Sequence, residues 1–263
     1  MDIEEVIKNT KIPLTTKKII EILEKNALCE NIIIHSSMSK MGYVIGGEEA
    51  VVDALIQAYN GFTITMPSQS GDNSNPKYFC NPPIPESWKE LYKDNYPNHR
   101  NTSPVRGMGK IVEEFMKRQV VRSNHPQDSF VSLGKDSDFI CSKQLLSHPL
   151  GPEGPLGKLY DLKAKILLIG VNYNNCTALH LAEELANIRP LQEQASMFNG
   201  KWTKFACLDY DADDFIKIGN LYEIEKEITE FELGNATCKF IDLKSLVDFA
   251  LDYFNKQKKG CVN

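Results

Sequence analysis

A short apolar run, residues 164–171, is followed within a few residues by a polar segment that can begin a helix. The run is rich in β-branched and aliphatic residues and is interrupted by Gly170, a pattern typical of a buried strand. Asn175 or Thr177 is placed to cap the following helix, so His180 is expected in its first turn. In open α/β sheets, ligands bind beyond the C-terminal ends of the strands. This stretch therefore predicts an α/β fold with a ligand site at one strand end.

The first part of the chain shows a similar alternation of helix and strand. A helix is expected over residues 15–26, with a threonine at its start as the cap. Residues 31–37 read as a strand, residues 48–59 as a helix with one apolar face, and residues 62–67 as a second strand. Strand, helix and strand within this length form a βαβ unit, which implies parallel pairing of the two strands.

Residues 68–104 are rich in Asn, Pro, Ser, Asp and Tyr and show no periodicity, which predicts a long insertion. Loops of this length are usually functional or disordered, and the aromatic residues here favour a packed, functional loop. Beyond it we predict a helix, a short strand, a partly helical segment, a late edge strand and a final helix, over residues 106–118, 120–122, 211–231, 236–241 and 243–255. We expect one α/β domain over residues 1–263, with a mostly parallel or mixed central sheet flanked by helices.

The chain has 263 residues and a formal net charge of −5. This charge makes nucleic acid an unsuitable partner and suits a cationic small molecule better. The acidic stretch at residues 209–214 agrees with such a ligand, but a stretch of this kind is also typical of a solvated loop.

The seven cysteines form no Cys-x-x-Cys pair, which argues against a disulfide framework and against a structural zinc site. No apolar stretch approaches the roughly 20 residues that cross a bilayer. Residues 1–5 lack the basic segment of a secretion signal. These features predict a cytoplasmic protein with no membrane partner.

His180 is the candidate general base. The positive end of a helix disfavours an imidazolium, and a neutral imidazole can accept a proton. Glu183 and Glu184 lie three and four residues further on, so either carboxylate can hold the second ring nitrogen in one tautomer. The competing interpretation is a partly buried histidine with a structural role only.

Other site chemistries are less well supported by the motifs. His35, Ser36 and Ser37 at a strand end can supply a serine nucleophile to His180, but the chain has no Gly-x-Ser-x-Gly elbow. A zinc site built from scattered histidines lacks any local ligand spacing, so no metal is expected. The Gly107-Met108-Gly109 turn can offer backbone amides to an anion, but Val112 replaces the third glycine of a dinucleotide fingerprint.

Several blocks, taken together and in order, resemble the aminoglycoside 3-N-acetyltransferase family. This family is unrelated to the larger acetyltransferase superfamily with its own pyrophosphate loop. The similarity covers nearly the whole chain, which makes it more specific than any single motif. The matching blocks are residues 34–39, 42–47, 65–70, 103–109, 122–126, 129–130, 154–160, 170–171 and 175–183.

The resemblance implies transfer of an acetyl group from acetyl-coenzyme A to the 3-amino group of the 2-deoxystreptamine ring of an aminoglycoside, without a covalent acyl-enzyme. His180 matches the family's general base, Glu183 its acidic partner and His35 a second histidine of the site. The insertion is expected to shape the acceptor side of the cleft, and the protein to be a monomer or a homodimer. Expected coenzyme A contacts are Ser36, Ser37, Met38, Ser103, Arg106, Gly107, Met108, Gly109 and Ser123, and expected acceptor contacts are Asp72, His125 and Asp209.

Three alternatives remain open at the level of sequence. The same fold can acetylate a different cationic amine, act as a non-catalytic coenzyme A binding protein, or hydrolyse thioesters. The His180 and Glu183 pair separates the first alternative from the second, because a binding protein has no need for a base. The third alternative, thioester hydrolysis, differs from the others because water alone is then a sufficient acceptor.

Overall fold

The computed structural model describes residues 3–28 and 31–260. Its strands form a seven-stranded sheet and a separate two-stranded sheet. The strands are β1 (Asn31–Ser36), β2 (Thr63–Pro67), β3 (Val121–Arg122), β4 (Phe130–Gly134), β5 (Lys165–Ile169), β6 (Leu191–Phe198), β7 (Lys201–Leu208), β8 (Thr229–Leu233) and β9 (Ala236–Asp242). The helices are α1 (Ile3–Lys8), α2 (Thr16–Asn26), α3 (Gly47–Ala58), α4 (Lys89–Asn95), α5 (Lys110–Phe115), α6 (Ser137–Cys141), α7 (Pro155–Asp161), α8 (Leu179–Ala186), α9 (Phe215–Glu225) and α10 (Leu243–Lys258).

The larger sheet has the order β3-β4-β2-β1-β5-β9-β8. At its centre, β1 pairs in parallel with β2 on one side and with β5 on the other. The outer pairs are antiparallel, and β3 thereby runs in the same direction as the three central strands. The βαβ unit and the mixed α/β sheet predicted from the sequence are confirmed.

Both faces of the sheet are covered by helices. Successive residues of a strand face opposite sides, so Ile32 and Ile34 pack into one core with α2, α3 and α5, and Ile33 packs into the other with α7, α8 and α10. A strand buried on both faces is apolar along its whole length, and each buried isoleucine contributes about 1.5–3 kcal/mol. By the same alternation, His35 lies on the α8 side of β1 and Ser36 on the α3 side.

The prediction of the first long helix is accurate. Thr15 caps α2, with its hydroxyl accepting a bond from the amide of Lys18 at 3.2 Å.

The strand predictions are less complete. The strand predicted at residues 236–241 exists as β9, but the prediction that it lies at the edge is wrong because β8 pairs outside it. The segment at residues 211–231 is helical in α9 and extended in β8, while β4, β6 and β7 had not been predicted.

The insertion at residues 68–104 contains α4 and packs against the β6–β7 hairpin. The indole Nε1 of Trp202 donates to the carbonyl of Lys93 at 2.7 Å, and the Asn73 amide donates to the carbonyl of Met197 at 3.3 Å. The hairpin and the insertion therefore form one structural layer beside the sheet.

Arg122, at the end of β3, ties both ends of the insertion to the sheet. Its guanidinium is buried and donates to the carbonyls of Ser68, Asn101 and Ser103 at 2.8, 3.1 and 2.5 Å. It also donates to two serine hydroxyls, those of Ser70 at 3.1 Å and Ser129 at 2.9 Å. Burial lowers its pKa to about 10.

A close contact between α9 and the turn after β5 gives a prediction for stability. A Cβ at Gly219 would lie 2.0 Å from a ring carbon of the fully buried Tyr173. Alanine gains up to about 1 kcal/mol of helix propensity, but overpacking at such a distance costs more. We expect Gly219→Ala to lower the free energy of unfolding by about 2–3 kcal/mol in urea titrations.

The matched control is Gly71→Ala, because a Cβ there would meet nothing within 4 Å. Its free energy of unfolding is expected to stay within about 0.5 kcal/mol of the parent value. Equal stability of both variants would show that the Tyr173 ring can move aside.

Within residues 3–28 and 31–260, no helix is long and apolar enough to cross a membrane. The cysteines in this part of the chain are free thiols, at positions 80, 141, 176, 207 and 238. Cys29 and Cys261 lie outside the described residues, as do the first two residues of the segment inspected for a secretion signal.

Candidate active site

Helix α8 begins directly behind the sheet, one short turn after β5. Leu179, Leu181 and Ala182 anchor it in the core beneath, which leaves the side chain of His180 16% exposed in the first turn. The predicted capping is wrong, because Ala178 occupies the N-cap position without a side-chain bond. Asn175 instead belongs to a preceding 3-10 turn (Tyr173–Asn175).

A chain of charged groups runs back from His180. Its Nδ1 lies 2.6 Å from Oε2 of Glu183, whose side chain is completely buried. The other oxygen, Oε1, accepts a bond from Nε of Arg189 at 2.6 Å. Arg189 in turn donates to the Asp211 carboxylate at 3.3 Å and to its backbone carbonyl at 3.2 Å. Because Glu183 accepts at Nδ1, that nitrogen carries the proton and Nε2 keeps its lone pair.

The structure thus distinguishes between the two glutamates. Glu183 orients His180, whereas Glu184 is engaged elsewhere: it accepts bonds from the Tyr210 hydroxyl and from Nδ1 of His148, the latter at 2.8 Å. Tyr210 packs its ring edge against the imidazole of His180, with 5.1 Å between the ring centroids. Burial, followed by the bond and the charge of Glu184, raises the pKa of Tyr210 far above its usual range.

His35 lies inside β1 rather than beyond its end and is 7% exposed. Burial, with a smaller contribution from the nearby His180, lowers its pKa to about 3. It is therefore neutral at physiological pH. Its Nε2 is buried without a hydrogen-bond partner among the described residues.

On the opposite side of the β1 end lies an open cleft with a volume of about 890 Å³. At Gly170, φ is +64° and a Cβ would lie 2.6 Å from Cβ of Lys40, so glycine allows the close approach of β5 to the cleft wall. Asn172 and Asn175 line the same cleft and connect it to α8. Six of the predicted coenzyme contacts line it together: Ser36, Ser37, Met38, Gly107, Met108 and Gly109.

The other three predicted coenzyme contacts are engaged outside this cleft. The Ser103 hydroxyl accepts a bond from the Arg100 amide at 2.8 Å, and Arg106 pairs with Asp72 at 3.0 Å. Ser123 is completely buried, with its hydroxyl donating to the side chain of Gln144 at 2.7 Å. The contact of Ser123 with the coenzyme stays a prediction.

The three predicted acceptor contacts differ in exposure and in their partners. Asp72 is partly exposed in its ion pair with Arg106, and Asp209 is exposed, accepting a bond from Gln192 at 2.9 Å. His125 is completely buried, with Nδ1 accepting from the Asp128 amide at 2.8 Å and Nε2 facing the Leu146 carbonyl at 3.3 Å. With both ring nitrogens engaged, His125 supports its loop, and its contact with an acceptor stays a prediction.

Two alternative arrangements that the sequence left less well supported are not formed among the described residues. No serine hydroxyl there bonds to His180; the Ser37 hydroxyl lies 3.1 Å from that of Ser39. In the same part of the chain, no group of three or more His, Cys, Asp or Glu side chains is placed to hold a metal ion.

The chain is similar to known proteins over most of its length. The family model for aminoglycoside 3-N-acetyltransferase matches residues 33–255. The chain belongs to the aminoglycoside 3-N-acetyltransferase family. Members of this family are acyltransferases, which confirms the enzyme class expected from the resemblance. The matched region contains His35, His180 and Glu183.

Individual relatives cover nearly the whole chain. The SPbeta prophage-derived aminoglycoside N(3')-acetyltransferase-like protein YokD of Bacillus subtilis (strain 168) is 36% identical over 95% of this chain and 96% of that protein. The crystal structure of YokD gives a TM-score of 0.94 at 34% identity, covering 98% of this chain and 100% of that one. Aminoglycoside N(3)-acetyltransferase VIII of Streptomyces fradiae is 30% identical over 80% of this chain and 76% of that enzyme. The crystal structure of AAC(3)-Xa gives a TM-score of 0.85 at 26% identity, covering 97% and 98%.

Asp128 is a site residue that the sequence did not single out. Its side chain is 23% exposed, and burial raises its pKa from 3.8 to about 7. An acid with a raised pKa loses stability as pH rises, because the unfolded chain ionises first. We expect Asp128→Asn to be more stable than the parent by about 2 kcal/mol above about pH 7, with the difference vanishing towards about pH 4.

Urea unfolding of both proteins across this pH range measures the difference. Asp138→Asn, at an exposed position on α6, is the control and is expected to match the parent throughout. If Asp128→Asn were less stable than the parent at every pH, the contacts of the Asp128 carboxyl group would contribute more to stability than its burial costs.

Proposed function

We propose that the protein transfers the acetyl group of acetyl-coenzyme A directly to the 3-amino group of the 2-deoxystreptamine ring of an aminoglycoside, with His180 as the general base. The observation that carries the proposal is the 2.6 Å contact between His180 Nδ1 and the buried Glu183. It holds the imidazole in the tautomer whose Nε2 can accept a proton.

The chemistry requires such a base. An amine attacks a thioester only as the free base, so the ammonium form of the acceptor must lose a proton. The first proton of the ammonium goes to solvent. The free amine nitrogen then forms a bond to the carbonyl carbon, the carbon–sulfur bond breaks, and coenzyme A leaves as its thiolate. His180 receives the second proton, which the nitrogen loses as it becomes the amide, and can pass it to the thiolate or to solvent. His35, neutral and with an unpartnered Nε2, is proposed to contact the reacting groups at the same strand end.

The proposal for the co-substrate is supported by the cleft. Its volume of about 890 Å³ suits a large extended cofactor. The Gly107–Gly109 turn precedes α5 and can present backbone amides to phosphate or to the developing oxyanion. Acetyl-coenzyme A is available inside cells, so we place the reaction in the cytoplasm.

The proposal for the acceptor is supported by the charge near His180. Glu184 is nearly fully buried and lies one residue from the Glu183 that orients the base. Together with the net charge of −5, it favours a polycationic amine. The Streptomyces fradiae relative is an aminoglycoside N(3)-acetyltransferase, which supports the proposal that the 3-amino group is attacked.

The test is release of the coenzyme A thiol from acetyl-coenzyme A by the purified protein, with a panel of 2-deoxystreptamine aminoglycosides. The same drugs already acetylated at the 3-amino group are the matched controls. Release with the free drugs alone, and an acetyl group at the 3-amino position by NMR, would support the proposal. Release without any amine would indicate a thioester hydrolase. Coenzyme binding without release on any amine would overturn the proposal in favour of a binding protein.

A further inference from the structure

We propose that Arg189 is a positioning residue that keeps His180 in its base-competent tautomer by acting through Glu183. This inference rests on the proposed function, because it explains how the general base of that reaction is held. Arg189 does not contact the imidazole. Its Nε donates to Oε1 of Glu183 at 2.6 Å while His180 occupies Oε2 at the same distance.

The local fold places Arg189 for this contact. Helix α8 ends at Asn187, which adopts the left-handed conformation with φ of +48°. The chain turns back there, and the amide of Ile188 meets the carbonyl of Glu183 at 3.5 Å. The side chain of Arg189 thereby reaches the buried carboxylate from the side opposite His180. Asp211 holds the far end of the guanidinium.

The need for a cation follows from the burial of Glu183. An ionised carboxylate is costly to bury unless an opposite charge lies beside it, and the side chain of Glu183 has no solvent exposure. When the pair of Glu183 and His180 holds one extra proton, either the imidazole is charged or the acid donates to Nδ1. In both forms Nε2 of His180 carries a proton and cannot act as a base. The charge of Arg189 disfavours that extra proton.

Other titratable groups also face this pair, and they remain in place when Arg189 is changed. His35 approaches from β1, and Tyr210 with its partner Glu184 approaches from the segment after β7. Asp211 and Asp214 act on Arg189 from the start of α9. From α10, the ammonium of Lys258 donates to the carbonyls of residues 186 and 187 at the end of α8. Because these groups are the same in the parent and in the variant, a difference between the two pH profiles can be assigned to residue 189.

The test compares the pH dependence of kcat/KM for the amine in the parent and in Arg189→Gln. We expect the acidic limb of the profile, which is the fall of kcat/KM towards low pH, to move to higher pH by about 1–2 units in the variant. Activity should recover towards the parent value at high pH, and KM for acetyl-coenzyme A should not change. Arg189→Lys, which keeps the charge, should restore most of the parent limb, as should added methylguanidinium with Arg189→Ala.

Arg118→Gln is the matched control, because Arg118 is similarly half-buried and pairs with Asp53 and Glu114 on the other face of the sheet. Its pH profile should equal that of the parent. The ¹⁵N shifts of His180 provide a readout independent of turnover: Nε2 of Arg189→Gln should be protonated at a pH where that of the parent is not. Should Arg189→Gln not fold, Asp211→Asn, which loosens Arg189, should shift the limb in the same direction by a smaller amount.

The proposal is overturned if folded Arg189→Gln keeps the acidic limb of the parent, or loses the same fraction of activity at every pH. Failure of the proposed function has a different signature, because the parent itself would then show no amine-dependent thiol release.

Discussion

His180→Asn is expected to lower kcat for amine-dependent thiol release by about 10³-fold, the order that a well-placed general base contributes. Asparagine has similar volume near the backbone and keeps a donor for Glu183, but it cannot accept a proton at neutral pH. The variant should therefore fold and bind coenzyme A as the parent does. Steady-state kinetics give kcat, and calorimetry gives the affinity for the coenzyme.

His148→Asn is the control for this experiment. His148 lies 2.8 Å from Glu184, the neighbour of Glu183, and its side chain is 45% exposed. Its replacement is expected to change kcat by only a few-fold. A His180→Asn variant that retained more than about a tenth of the parent kcat would mean that a different group removes the proton.

Arg122→Ala is expected to lower the free energy of unfolding by about 3–5 kcal/mol. The change removes a buried guanidinium and leaves the carbonyls of Ser68, Asn101 and Ser103 without this donor. Arg122→Lys should recover part of the loss, because an ammonium offers fewer donors and no planar fork. Urea titrations measure the stability, and limited proteolysis reports the order of the insertion.

Arg106→Ala serves as the control, because Arg106 is 62% exposed and has a single ion pair with Asp72. Surface pairs of this kind contribute at most about 1 kcal/mol. The functional effect of Arg122→Ala should fall on KM for the amine more than on KM for acetyl-coenzyme A, since Arg122 fixes the insertion rather than the coenzyme cleft. Equal stability losses in both variants would contradict the anchoring role of Arg122.

The sequence predicted the centre of the fold well because its signals are local. A strand buried on both faces is uniformly apolar, and the pair at positions 180 and 183 follows from helical spacing. The β6–β7 hairpin was missed because its first strand, with Gln192, Glu193 and Gln194, has little β-propensity. The available signal was its turn: Asn199 and Gly200 both have positive φ, at 51° and 75°, as a two-residue hairpin turn requires.

Contacts that depend on a turn of the chain after a helix could not be predicted from local sequence signals. Arg189 reaches Glu183 only because Asn187 turns the chain back after α8. Residues 122–126 were correctly placed at a strand end, yet the backbone pattern did not give the direction of each side chain. Ser123 and His125 are buried, whereas Ser36 and Ser37 line the cleft.

The separation of Ser36 and His35 on the two sides of β1 has a kinetic consequence. Under the proposed function, a donor molecule in the cleft lined by Ser36 would leave the approach to His180 open, and an acceptor at His180 would leave that cleft open. Neither molecule has to depart before the other arrives. Double-reciprocal rate plots for the two substrates should therefore intersect instead of running parallel, and an unreactive analogue of one should not compete with the other. The pleat of a single strand is enough to make the order of arrival unimportant.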